Sequence, residues 1–263
     1  MVQEVTKFDT VINIIGSIPD YRLLYFALGI ASKGDAEALK QALLDKNEFD
    51  FRTEQARERF LRGLKSTFLK FENEGHQNLI HSLFQEENLV QTKNLALFWQ
   101  MSINNALCFD LSREMFLKLY FSGRSHFPKN EIAAYLIHLK DHHEELKSWS
   151  DKTTDIVASK YLLFLKKLNL LKGDQKKEFV HINLDKTSFV FFVYLLSALY
   201  PNAPDILETE LFEFAFMSKE IFHERAKRAE NLEYFNYRYD GVNLRLEPKF
   251  KPEEIIHVLC NRT

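Results

Sequence analysis

Helix-breaking residues are scarce in this chain, and this scarcity limits the folds that are open to it. The 263 residues include only eight glycines and six prolines. Turn-rich folds need these two residues often, whereas long helices exclude them from their interiors. Hydrophobic residues make up 46% of the sequence and charged residues 27%, which is the composition of a globular protein with a sizeable core. We therefore predict a mainly α-helical fold.

Apolar residues recur at helical spacing along most of the chain. In one segment Phe60, Leu64 and Phe68 fall on one face of a predicted helix. The period predicts helices over 5–18, 20–31, 35–44, 52–71, 75–84, 91–107, 112–121, 129–146, 150–171, 219–231 and 253–259. Ser112 is predicted to cap the helix that it begins. The apolar run 188–200 is shorter than the roughly 20 residues of a membrane span, so it predicts a buried helix and no membrane contact.

Two short hairpins are predicted in the second half of the chain. Residues 178–184 alternate apolar and polar side chains, which is the period of a half-buried strand. Asp240-Gly241 separates two strand-like runs, 233–239 and 242–247, and predicts a two-residue hairpin turn. Each hairpin follows a helix, which is the order of a winged helix-turn-helix unit. We predict a helical domain over 1–125 and a winged-helix-like region with two hairpins over 126–263.

Basic residues are concentrated in three segments, although the formal net charge is only −2. Basic residues outnumber acidic ones by four over 52–70, by four over 147–178 and by three over 225–251. Such segments on helices and wings neutralise DNA phosphates, although they are often only solvated helix faces. No base-reading arrangement is recognisable, so no sequence preference is predicted.

Eighteen residues of these segments are predicted DNA contacts. They are Arg52, Arg57, Arg59, Arg62, Lys152, Thr153, Thr154, Lys160, Lys166, Lys167, Lys172, Lys176, Lys177, Arg225, Lys227, Arg228, Arg238 and Arg245. The two threonines would add hydroxyl and backbone N–H contacts at a helix start. Reversing the charge of Lys166 and Lys167 is expected to weaken DNA binding without unfolding the protein.

Catalytic motifs are missing from the sequence. Gly29 and Gly34 have P-loop spacing, but Asp35 follows where lysine would hold the phosphate. His138 and His142 have the spacing of metal ligands, yet no third ligand is identifiable. We therefore expect no enzyme activity, no cofactor and no metal, and a metal-dependent enzyme that uses 138–145 is the weakest alternative. Two distant cysteines and an N-terminus without signal-peptide features predict a cytoplasmic protein.

Three stretches of the sequence together resemble a known family. They are the basic helix entered at Asn47 (47–64), an apolar helix and the one after it (97–116), and the helix from Trp149 to Leu171. They resemble the BrxA family of BREX (bacteriophage exclusion) defence systems, in which glycine is usual at the position of Asn169. The resemblance implies a NusB-like helical body with winged-helix features and DNA binding. It also implies work beside a methyltransferase, an ATPase and a phosphatase-like protein.

These features predict a non-enzymatic DNA-binding accessory protein of a BREX-type defence system. It would bind the duplex backbone through its basic helices and wings, and its partners would be double-stranded DNA and other BREX components. The alternative is a protein–protein adaptor subunit without direct DNA binding. The near-zero net charge and the acidic segment 205–224 favour that alternative.

Overall fold

The fold is mainly helical and carries two small antiparallel sheets, as predicted. The computed structural model of the chain describes residues 8–34 and 36–261. The first helices are α1 (Ile12–Ile15), α2 (Arg22–Ala31), α3 (Ala36–Lys40), α4 (Glu54–Thr67), α5 (Glu74–Gln85), α6 (Val90–Asn104), α7 (Ala106–Asp110) and α8 (Lys118–Phe121). They are followed by α9 (Lys129–His142), α10 (Glu144–Lys147), α11 (Asp151–Lys167), α12 (Lys186–Leu199), α13 (Lys219–Ala226), α14 (Ala229–Leu232) and α15 (Ile255–Asn261). The strands are β1 (Leu171–Lys172), β2 (Glu178–Phe179), β3 (Phe235–Tyr239) and β4 (Leu244–Pro248).

Several helices begin at a residue whose side chain accepts a backbone N–H of the first turn. These caps are Thr53 of α4, Asn73 of α5, Ser150 of α11, Asp185 of α12 and Ser218 of α13. Each cap satisfies a donor that would otherwise lack a partner at the helix start. These helices therefore begin where a short polar side chain comes just before a segment whose apolar residues recur at helical spacing.

The predicted cap at Ser112 is wrong. Asn105 caps α7 instead, because it is extended and its Oδ1 accepts the Cys108 N–H at 2.9 Å. The chain then continues from α7 through a π-helical segment, Leu111–Leu117, into α8. Ser112 is buried inside this segment, and its Oγ lies 2.9 Å from the Tyr161 Oη of α11.

Some predicted elements are shorter or divided. Extended backbone at His143 separates α9 from α10, and extended backbone at Arg228 separates α13 from α14. The strand predicted over 178–184 pairs only at Glu178–Phe179. The predicted helix over 5–18 is described as α1, and residues 1–7 lie outside the described part of the chain.

The predicted two-residue turn at Asp240-Gly241 is also wrong. The loop between β3 and β4 spans 240–243, because Tyr239 pairs with Leu244. The Asp240 carboxylate accepts the backbone N–H groups of Val242 and Asn243 at 2.9 and 2.8 Å. These two bonds stabilise the longer turn.

Helix α6 forms the centre of the molecule, since its residues from Thr92 to Asn104 are buried. The Phe98 ring lies 6.4 Å from the Phe164 ring of α11. On another side of α6, the Trp99 ring lies 4.7 Å from the Phe192 ring of α12. Helix α6 therefore separates α11 from α12. The predicted burial of the 188–200 run is confirmed within α12. No helix among the described residues has the length and apolar character needed to span a bilayer.

The two hairpins differ in their surroundings. Segment 125–127 pairs with the β1–β2 hairpin through the Phe127 N–H, which donates to the Lys177 carbonyl at 2.8 Å, and through a bridge between His126 and Glu178. The β3–β4 hairpin packs against α12 with one face, which contains the buried Leu244 and Leu246. Asn169, which precedes β1, has a φ of +59°, a left-handed conformation that favours glycine or asparagine.

Candidate nucleic-acid interface

Helix α4 presents its basic residues on two sides. Arg59 and Arg62 lie one turn apart and are exposed, and neither forms an ion pair or hydrogen bond within the described residues. Arg57 points the other way, and its Nη1 donates to the Leu44 carbonyl at 2.9 Å. Arg52, which precedes the Thr53 cap, is also exposed. Arg52, Arg59 and Arg62 are therefore available to a ligand. Arg57 instead bonds the π-helical segment Gln41–Asp45, which contains Leu44.

Helix α1 lies between α4 and α11. At position 63 of α4 a Cβ atom would be only 3.0 Å from the Ile15 Cδ1 of α1. On its other side α1 packs against α11, where Gly16 touches the backbone of Lys160. Arg59 and Arg62 are exposed residues of α4 close in sequence to Gly63, which forms the contact with α1. Lys160 lies at the contact between α1 and α11. The first two basic segments are thus brought together around one short helix.

Helix α11 divides its predicted contacts between the surface and the interior. Lys152 is exposed at its first turn, and Thr153 is half-buried, with its Oγ1 3.0 Å from the Ser150 Oγ. Thr154 is only 1% exposed, and its hydroxyl donates to the Ser150 carbonyl. The prediction that Thr154 contacts phosphate is wrong, because its side chain belongs to the core.

Lys167 has a structural role at the end of α1. Its ammonium donates to the Gly16 carbonyl at 3.0 Å and to the Ile18 carbonyl, and it lies 5.4 Å from the centre of the Tyr21 ring. Burial lowers the pKa of Lys167, and the nearby Lys160 lowers it further. A lysine suits this place because the last carbonyls of a helix lack intrahelical partners. The prediction that reversing Lys166 and Lys167 leaves the fold intact is therefore corrected, since a carboxylate at 167 would face carbonyl oxygens.

Most lysines at the end of α11 and in the β1–β2 hairpin already have partners within the fold. Lys166 pairs with Asp174, and Lys172 lies 3.8 Å from Glu178. Lys177 donates to the carbonyls of Gly173 and Asp174 at 2.9 and 2.5 Å. Lys176 is exposed and has no such partner among the described residues.

The C-terminal basic segment is also largely paired. Arg225 donates to the carbonyls of Leu184 and Asp185 at 2.6 and 2.9 Å and lies 4.6 Å from the centre of the Phe189 ring. Lys227 pairs with Glu224 and Arg238 with Glu247, each at 3.2 Å. The Arg245 Nε donates to the Pro204 carbonyl at 3.3 Å. Arg228 is exposed and unpaired within the part of the chain that the structure describes.

Within residues 8–34 and 36–261, the cations of the three basic segments that lack ion pairs are therefore most numerous on α4 and α11, the two helices that pack against α1. We call Arg59, Arg62, Lys65 and Lys160 the basic face. Lys65 is not among the contacts that the sequence predicts, although its spacing of three residues from Arg62 places both on one side of α4. Together with Leu61, Arg62 and Lys65 line a shallow groove of about 460 Å³. The C-terminal segment lies on the α12 side of the molecule, which α6 separates from α11.

The histidine pair that the sequence singled out lies at the end of α9. The His138 and His142 rings have centroids 4.7 Å apart. Within residues 8–34 and 36–261, no group of three histidine, cysteine or acidic side chains is close enough to hold a metal ion.

Comparisons with known proteins agree with the resemblance noted in the sequence. The model of the BrxA family matches residues 29–193, which is more than half of the chain. The chain belongs to the BrxA family. Membership of the BrxA family suggests a component of a BREX phage-defence system, and other BREX components are the partners that this implies. BrxA is an accessory defence component and is not known as an enzyme family.

A solved structure supports the same fold. The crystal structure of an uncharacterized protein from Magnetospirillum magneticum is 13% identical in sequence and has a TM-score of 0.55. The similarity covers 73% of this chain and 97% of that one. At this identity it shows the fold alone. The comparison with curated proteins gives no match.

Proposed function

We propose that this BrxA-family protein is a non-enzymatic accessory subunit that binds the backbone of duplex DNA through the basic face. The observation that carries the proposal is the meeting of α4 and α11 around α1, with Arg59, Arg62 and Lys160 left without ion pairs in the described structure. Cations without protein partners are the ones that can displace counterions from phosphates. Arg52, Lys152, Thr153 and Lys176 would extend the contact along the same two segments.

The proposal includes the finer predictions about architecture. We propose that α11 and the β1–β2 hairpin act as a winged-helix-like unit, whose wing tip at Lys176 would approach the duplex. The NusB-like body, the division at 125/126 and the cytoplasmic location belong to the same proposal. The N-terminus of α11 supports this assignment, because the N–H groups of its first turn that Ser150 does not accept, together with the positive end of the helix dipole, favour phosphate oxygens.

The proposal is tested by fluorescence anisotropy of a labelled duplex across a salt series. Binding should weaken with salt with a slope of about 0.9 per phosphate contact. Arg59→Glu/Arg62→Glu should weaken binding and reduce the slope. Arg228→Glu is the matched control, because Arg228 is also exposed and unpaired but lies in the C-terminal segment. An equal loss of DNA affinity in both variants would show that the basic face contributes no more to binding than the C-terminal segment does. Absence of binding at low salt would contradict the proposal.

The adaptor function remains the second candidate. It is favoured by the pairing of the C-terminal cations, since Lys227 and Arg238 already have carboxylate partners. A surface with paired charges and exposed aromatic rings suits a protein partner better than a polyanion. Capture of another BREX component without any DNA affinity would favour this function over DNA binding.

A further inference from the structure

The β3–β4 sheet has two outer edges that the fold treats differently. In this register the backbone groups of Leu244, Leu246 and Pro248 point away from β3. Asp205 accepts the Leu244 N–H at 3.3 Å, and Ser197 donates to the Leu246 carbonyl at 3.4 Å. Pro248 has no N–H to offer. The β4 edge is therefore partly closed by side chains and by proline, which are common protections of a sheet edge.

The β3 edge lacks such protection. The backbone groups of Tyr237 and Tyr239 point away from β4, and within the described residues they form no hydrogen bond. Tyr239 is 47% exposed, and the neighbouring Asn236 and Arg238 are exposed as well. The fold thus leaves a short edge of unpaired N–H and C=O groups at the surface. Such an edge is a template for another extended chain.

The charges beside this edge indicate what the added chain contains. Arg238 lies directly opposite Arg245 in the sheet register. Like charges in this position destabilise a sheet. Glu247 is 3.2 Å from Arg238 and relieves the repulsion only in part, because Arg238 remains well exposed. An acidic residue on an added strand, next to Arg238 on the solvent-facing side, would complete the neutralisation.

The other face of the edge is aromatic. Tyr237 and Tyr239 share the face of the sheet that carries Leu244 and Leu246, and both rings contact the His223 ring of α13, with centroids 5.5 and 4.6 Å away. The residues on each side of the acidic one would lie beside these tyrosines. Aromatic and β-branched cross-strand pairs are favourable, so these residues would be apolar.

We propose that β3 is a docking edge for an extended segment of a partner protein in which an acidic residue stands between apolar ones. The segment would add to the sheet as a further strand, with its backbone bonded to Tyr237 and Tyr239 and its carboxylate paired with Arg238. This surface lies on the α12 side of α6 and is independent of the basic face proposed for DNA.

The probe is a fluorescein-labelled peptide that alternates valine and glutamate, compared with one that alternates valine and lysine. Anisotropy should show binding of the glutamate peptide to the full chain and at least about tenfold weaker binding of the lysine peptide. Arg238→Glu should reverse this preference. Tyr239→Pro should abolish binding, because it removes an outward N–H that β4 does not use, and Tyr239→Val should retain binding because it keeps that N–H. Circular dichroism checks that each variant is folded.

Three results would overturn the proposal. One is that the glutamate peptide does not bind, or that it binds with the same affinity to the unaltered protein, to Tyr239→Pro and to Arg238→Glu. Another is a concentration-dependent dimer in sedimentation that Tyr239→Pro abolishes, because the occupant would then be a second copy. The third is a loss of duplex DNA binding in Arg238→Glu as large as that in Arg59→Glu/Arg62→Glu, because the hairpin would then be a DNA contact. Since DNA binding is measured on the same variants, failure here is distinguishable from failure of the proposed function.

Discussion

Gly16 packs so closely against Lys160 that a Cβ atom at position 16 would overlap the Lys160 carbonyl oxygen. The overlapping atom belongs to the backbone of α11, so α1 would have to move. We expect Gly16→Ala to lower the free energy of unfolding by about 1–3 kcal/mol, the usual range for overpacking. Urea unfolding followed by circular dichroism measures this change.

Gly75→Ala is the matched control for this substitution. Its added Cβ would be 3.4 Å from the nearest side-chain atom, which is ordinary contact. Alanine also favours helix more than glycine does. The control should therefore leave the stability unchanged or raise it, and a similar loss in both variants would contradict the close α1–α11 contact.

Lys160 and Lys167 lie two turns apart on the same side of α11, and we expect their charge reversals to have different effects. Lys160→Glu should weaken duplex binding with little change in stability, because no other group in the described residues bonds its ammonium. Lys167→Glu should cost about 1.5–3 kcal/mol of stability, the range for lost charged hydrogen bonds. Parallel thermal melts and DNA anisotropy separate the two. A stable Lys167→Glu variant with impaired DNA binding would contradict the assignment of Lys167 to the end of α1.

His76 makes stability depend on pH. Its Nε2 lies 2.7 Å from the Gln100 Oε1, its Nδ1 accepts the Glu72 N–H at 3.3 Å, and burial lowers the pKa of His76 to about 4. The unfolded chain, with a pKa near 6.5, takes up the proton first as the pH falls. The stabilisation is complete above about pH 6.5 and is lost as the pH falls toward 4, with about 2 kcal/mol already lost at pH 5.

The measurement is urea unfolding at pH 7.5 and at pH 5, with His76→Gln beside the unaltered protein. The variant removes the titrating group, so its stability should differ less between the two pH values. His181→Gln is the control, since His181 is exposed. An unchanged pH dependence in His76→Gln would show that other groups carry it.

Ser112 and Tyr161 form a buried pair that joins the π-helical segment to α11, with 2.9 Å between their hydroxyl oxygens. Removing either hydroxyl leaves the other without this partner, at a cost of about 1–3 kcal/mol. Ser112→Ala/Tyr161→Phe removes both and should cost less than the sum of the single changes. Equilibrium unfolding of the four proteins gives the coupling energy, and strict additivity would contradict the bond.

The sequence predicted most helices because their apolar period and their caps agree, as at Thr53 and Ser150. It failed where tertiary contacts decide. Ser112 has the chemistry of a cap, but a buried hydroxyl partner on α11 holds it inside a continuous helical segment. Asp240-Gly241 has the chemistry of a two-residue turn, but the Asp240 carboxylate reaches two N–H groups further along and lengthens the loop.

The candidate site was only partly predictable for a related reason. A lysine that faces solvent and a lysine that bonds the end of a helix have the same sequence signal. Lys167, Arg57 and Arg225 were predicted to contact phosphates, and each donates instead to backbone carbonyls of a segment distant in sequence. Their partners are carbonyls near the end of α1, at Leu44 and at the start of α12, and only the packing of these segments against the basic helices brings them into reach.

The burial of α6 has a consequence for synthesis on the ribosome. Helix α6 is apolar on the side that Trp99 presents to α12, and α12 is complete only about 95 residues after α6 ends. At a synthesis rate of about 5–20 residues per second, the nascent chain exposes this surface for roughly 5–20 seconds. During that interval the unfinished chain exposes an apolar surface to which chaperones can bind. We therefore expect chaperone supply to affect the yield of the protein in the cell more than it affects the stability of the finished protein.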